Sequence, residues 1–150
     1  MDFNTVLVPV VDTIAAEEAI KLVCGLSLKN KGKKAKIFSV YIIAVDRTLP
    51  VDAVIESQIQ KAEDILDRME AVAGELGCEV ATEVLQAREV GPAIVDEAVE
   101  RGADVIVMGI TYKTSFGQFT MGNVVPYVLK NAPCRVMLYQ QPHASQVKPQ

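Results

Sequence analysis

Two stretches of consecutive apolar residues, Val6 to Val11 and Val105 to Met108, most narrow the folds open to this chain. Each reads as a strand buried on both faces, the kind found in parallel sheets with helices packed above and below. Parallel neighbours need a long crossover, usually a helix, and the segments between the strands have that character. Asp12-Thr13 is a capping pair, and Ile14 to Leu28 then carries a helical stripe at Ala16, Ala19, Ile20, Val23 and Ser27. Asn30 and Gly32 close that helix. Ala35 to Val45, rich in Ile and Val, is the second strand.

The loop at 46–50 leads to a second stripe at Ile55, Ile59, Ala62, Leu66, Met69, Ala73 and Leu76, ended by Gly77. Glu79 to Leu85 alternates and reads as a strand with one poorer face. Gly91-Pro92 starts the third helix, since proline is tolerated in a first turn. Its apolar face is Ile94, Val95, Ala98 and Val99, and Gly102 ends it. Asp104 to Met108, Asn123 to Lys130 and Cys134 to Tyr139 give a strand, a helix and a last strand.

This alternation predicts an α/β domain: a five-stranded parallel sheet with helices on both faces, a Rossmann-like or flavodoxin-like open sandwich with right-handed crossovers. The domain is expected over 1–140, with a disordered tail over 141–150. Ligands of such sheets bind beyond the C-terminal strand ends, where the strand order reverses. The strand ends expected there are Val10-Val11-Asp12, Tyr41 to Ile43, and Met108-Gly109.

A formal charge of −4 gives no footprint for nucleic acid, whose binding depends on neutralising many phosphates. The basic run Lys29, Lys31, Lys33, Lys34 and Lys36 precedes the second strand, so it is expected at the opposite edge of the sheet, as a solvated helix end and loop or, in the lesser reading, a partner patch. Cys24, Cys78 and Cys134 are too widely spaced for a metal knuckle or a CxxC pair. Cys24 and Cys134 read as small core residues, and an odd count without a framework fits a reducing compartment. The run Val6 to Val11 is too short for a signal or membrane span. A cytoplasmic location without membrane insertion is expected.

The chemistry points to binding. Gly109 ends an apolar strand, a polar loop follows, and Gly122-Asn123 opens a helix whose free N–H groups and dipole favour an anion. Pro126 lies in that helix's first turn, leaving Val124 and Val125 able to donate. Lys113 is the nearest candidate cation. Plainer readings stand beside these: Gly109 and Gly122 as backbone geometry, Asp12 as a helix cap, Tyr112 as a loop residue, Gly117 as turn chemistry, Lys113 as a solvated side chain. No nucleophile elbow, phosphate-binding GxxxxGK[ST], GxGxxG or HExxH motif appears. The single histidine, His143, lies in the tail. An enzyme is not expected.

The segments VLVPV, REVGPAIVDEAVERGADVIVMG and NAPCRVMLY, in this order over about residues 4–140, resemble the universal stress protein family. Its ATP-binding members carry Gly, two residues, Gly, nine residues, then Gly with Ser or Thr. Here those positions are Gly109, Tyr112, Gly122 and Asn123, so the spacing is kept and two identities are not. The resemblance implies a regulatory, stress-response domain that binds an adenine nucleotide, ATP or AMP, with Mg only alongside ATP. The site residues it implies are Val10, Asp12, Ile42, Met108, Gly109, Tyr112, Lys113, Gly122, Asn123 and Val124. Binding is expected to be weak: if position 112 needs positive φ, a non-glycine residue there costs about 1–2 kcal/mol. The resemblance also implies a homodimer through Cys134 to Tyr139. The phrase FGQFTMGNVVPYVLKNAPC resembles stress-protein-like domains associated with membrane transporters. The alternative it supports is a dimeric interaction protein without nucleotide that regulates such a partner.

Overall fold

The computed structural model describes residues 3–29, 34–113, 118–119 and 123–142. In chain order the elements are β1 (Thr5–Pro9), α1 (Thr13–Lys29), β2 (Lys36–Ala44), α2 (Glu56–Glu75), β3 (Val80–Ala87), α3 (Val90–Arg101), β4 (Val105–Lys113), β5 (Gln118–Phe119), α4 (Val124–Asn131) and β6 (Arg135–Pro142). The five long strands run parallel in the order β3-β2-β1-β4-β6. This is the expected five-stranded parallel sheet, with the Rossmann-like strand order. Chain direction through the sheet reverses between β1 and β4, which is the switch point. Short β5 pairs antiparallel with the end of β4.

Strand periodicity divides the interior in two. Val6, Val8 and Val10 point with Val105 and Val107 into a cluster that includes Ala16, Ala19, Ile20 and Val23 of α1 and Leu66, Met69 and Ala73 of α2. Leu7, Ile106, Met108 and Ile110 point the other way, onto Ile94 and Ala98 of α3 and Val125 and Val128 of α4. The uninterrupted apolar runs are therefore strands with a helix layer on each side. Ser39, fully buried in β2, avoids the cost of an unpaired hydroxyl by donating to the Val8 carbonyl at 2.8 Å.

Three expectations change. β4 does not end at Met108-Gly109 but continues to Lys113, because β6 pairs with it residue by residue through Tyr112↔Pro142. Residues 110–113 are therefore strand. β6 likewise runs into the segment expected to be tail. In α3, Val99 is 63% exposed and Glu97 is buried at 8%. Glu97 accepts from Arg101 Nε at 2.6 Å, and Arg101 also pairs with Glu83 and lies 4.4 Å from the centroid of the Phe38 ring. The arginine makes a charged face compatible with burial.

Candidate functional site

The switch-point crevice is built by the C-terminal ends of β1, β2 and β4 and by the starts of α1 and α4. β1 pairs with β4 only at Val6↔Val105 and Leu7↔Ile106. Above that level the two chains part, because β1 gives way to the turn at Val10–Asp12 while β4 runs on. Tyr112 pairs with Phe119 on one side and Pro142 on the other. β5 therefore occupies the edge of β4 that faces away from β6, the edge β1 leaves open.

Gly109 sets how closely α1 can approach. A Cβ built on it would lie 2.1 Å from the Ala15 carbonyl oxygen and 2.9 Å from the Ala16 nitrogen. Only glycine lets the first turn of α1 rest on β4, and this packing aims the helix start into the crevice. Asp12 stands directly before that helix and caps it: its Oδ1 accepts from the Ala15 N–H at 3.0 Å, while its carbonyl accepts from the Ala16 N–H at 2.8 Å.

Ile42 offers backbone. The Val40 carbonyl accepts from Val10 N–H at 2.8 Å and so points toward β1. By the two-residue alternation of a strand, the N–H and C=O of Ile42 point the same way, past the end of β1. β2 itself runs two residues beyond Ile42, and the Val45 N–H donates to Ala87. The side chains of Val10, Ile42 and Met108 are buried. All three can present only main-chain atoms to a ligand.

At the start of α4, Asn123 occupies the N-cap position with φ −97° and makes no side-chain capping bond. The N–H groups of Val124 and Val125 have no acceptor among the described residues. Pro126 has none to donate. These are orphan helix-start donors of the kind that bind anions. Tyr112 and Lys113 lie on the extended part of β4. Among the described residues every positive φ belongs to glycine, so Tyr112 carries none of the strain expected for it. Gly122, Gly117 and His143 lie outside the described residues.

One part of the crevice escaped sequence reasoning. Arg88, just past β3, donates through Nη1 to the carbonyls of Asp46 and Leu49 at 2.7 Å each, and Gln86 Nε2 donates to Val51 and Ala53 at 2.9 and 2.8 Å. The two side chains pin the β2–α2 connection that walls the site beyond Ile42. Asp46 turns the same loop by accepting from the Thr48 N–H and hydroxyl, and these bonds hold its carboxyl below the usual carboxylate range. A Gln-x-Arg at a strand end is a weak signal, since nothing local names its acceptors.

The crevice thus offers main-chain donors and acceptors, one carboxylate at a helix cap, and an apolar floor. Among the described residues no group of three or more His, Cys, Asp and Glu is placed to hold a metal ion.

A Rossmann-like sheet with a main-chain-lined crevice at its switch point defines the class: an α/β open sandwich. The universal stress protein family model matches residues 2–140, and the chain belongs to that family. A universal stress protein of Methanocaldococcus jannaschii is 26% identical over 146 residues, covering 93% of this chain and 84% of the relative. The structure of the Archaeoglobus fulgidus universal stress protein in complex with dAMP superposes with a TM-score of 0.68 at 18% identity, covering 92% and 98% of the two chains. A family protein from Arabidopsis thaliana with AMP bound gives 0.64 at 15% identity over 97% and 96%. At these identities the structural likeness establishes the fold.

Proposed function

We propose that this chain is a regulatory domain that binds an adenine nucleotide in the switch-point crevice without chemically transforming it. The observation that carries this reading is the convergence there of main-chain groups that have no partner among the described residues. Ile42 presents a donor and an acceptor suited to the edge of a base, Asp12 stands where a ribose would pass, and Val124 and Val125 direct N–H groups at a phosphate position. The dAMP and AMP complexes of the two solved relatives support the ligand class. ATP would bring Mg with it, whereas AMP needs no metal. Occupancy would alter the surface a partner meets, which is the regulatory step in a cytoplasmic protein.

The test is mass spectrometry of small molecules released on denaturing the purified protein, with calorimetric titration of AMP, ATP with and without Mg, and GTP. Adenine nucleotide in the extract, or saturable AMP or ATP binding that GTP does not match, is the expected result. An empty extract with no heat at millimolar nucleotide overturns the reading.

A second reading is favoured by the outer edge of β6, which has no strand neighbour among the described residues and carries Leu138 at 42% exposure. An open apolar edge invites pairing. On this reading the chain is a homodimer through Cys134 to Tyr139 that acts on a protein partner, such as a transporter, without nucleotide. Light scattering on a sizing column checks it: the native chain should run as a dimer and Leu138→Lys as a monomer. A monomeric native chain would reject it.

A further inference from the structure

At the end of the sheet opposite the crevice, α1 and the turn between α2 and β3 bring two cysteines together. Cys24 is fully buried in the cluster under α1 and α2, and Cys78 packs against that cluster. The two side chains share this cluster, and Cys78 lies near enough to Cys24 to act on its thiol. Cys78 is held by its own backbone, whose N–H donates to the Ala73 carbonyl at 2.9 Å after Gly77 turns the chain at φ 70°. On its other side Cys78 lines a cavity of about 450 Å³ with Ser27, Lys34, Lys36, Phe38 and Glu79. Cys78 is thus half-buried beside a cavity, and Cys24 lies in the core.

We propose that Cys78 is an oxidation site for peroxide and that Cys24 resolves it, forming a reversible Cys24–Cys78 disulfide. Cys78 Sγ loses its proton to solvent and attacks one peroxide oxygen. The O–O bond breaks, one water leaves, and Cys78 carries a sulfenic acid. Cys24 Sγ then attacks Cys78 Sγ, the S–O bond breaks, and hydroxide leaves with the Cys24 proton as a second water. Two thiols have lost two electrons, and one peroxide has gained them. A dithiol reductant reverses the exchange.

The arrangement separates the two steps. The cavity admits a small oxidant to Cys78, while the core closes around Cys24 and keeps it for the internal reaction. Burial also holds Cys24 as the thiol, so the second step is the slower one and quickens with pH. The product ties α1 to the start of β3 across the segment 24–78, a long loop in the unfolded chain. Such a link raises Tm by about 5–10 °C.

The test treats the reduced full chain with a small molar excess of hydrogen peroxide, alkylates the remaining thiols, and maps tryptic peptides. Peptide 22–29 should appear joined to peptide 69–88, with a mass loss of two hydrogens, a raised Tm, and recovery on adding dithiothreitol. Cys134→Ser should leave the link intact, and Cys78→Ser should remove it. Cys24→Ala should leave Cys78 trapped as sulfenic acid, detectable with dimedone. Sulfinic or sulfonic acid on Cys78 of the native chain without the joined peptides, or oxidation confined to Cys134, would overturn the proposal.

Discussion

Gly109 and Arg101 show how much a single position can decide in this protein. A methyl group at 109 would collide with the backbone of α1 rather than with a side chain that could swing aside. Gly109→Ala should cost roughly 2–4 kcal/mol, seen as a lower urea midpoint, and a variant as stable as the native chain would contradict the packing described. Arg101 makes the buried Glu97 tolerable. Arg101→Ala leaves that carboxylate without its cation and should lose about 1–3 kcal/mol, the lower part of the range for a broken buried pair because solvent reaches the arginine. Replacing both at once, as Glu97→Leu with Arg101→Met, should recover most of it, and a double variant no better than the single one would count against the pairing.

The helices and strands were largely legible because their determinants are local. Of the stripe read as Ala16, Ala19, Ile20, Val23 and Ser27, the first four are buried and Ser27 is half-buried, and Gly102 ends α3 in the left-handed conformation at φ 63°. Misreadings fell where tertiary partners override pattern. Leu76 belongs to the stripe by spacing yet is exposed, because α2 has already ended at Glu75. Val99 lost its expected place to Glu97 because two distant strands supply Glu83 (β3) and Phe38 (β2) to hold Arg101. The β2–α2 connection is an element of the same kind, shaped by side chains from β3. Arg88→Ala should release the carbonyls of Asp46 and Leu49. The loop between 46 and 55 should then be cut faster by limited proteolysis, while far-UV dichroism stays unchanged. Equal cutting rates would mean that the loop holds itself.

Taken whole, the molecule is a sheet with two distinct ends, the crevice at one and the paired thiols at the other, and α1 reaches from one to the other. Burial, and after it the neighbouring Cys78 side chain, push the Cys24 thiol up to about 12. Its folded pKa is raised, so the stabilising contribution is complete below about pH 9 and is lost as pH rises toward 12. In that window stability should fall by up to about 1.4 kcal/mol per pH unit. Cys24→Ala should flatten the decline, and an unchanged slope in denaturant titrations at pH 8, 9 and 10 would remove the thiol from the account.

What the chain determines by itself is the layer order: apolar runs demand burial on both faces, helical stripes fill the crossovers, and glycines stop them. That was enough for the fold class and for locating a crevice at the strand ends. Only the tertiary structure decided which groups meet. Gly109 meets Ala15, Arg88 meets the β2–α2 carbonyls, and Cys24 meets Cys78 across more than fifty positions in sequence. Periodicity records which face a residue turns to the core, because that depends on the backbone's own repeat. It carries no record of what waits on the other side, because that partner is delivered by a different part of the chain.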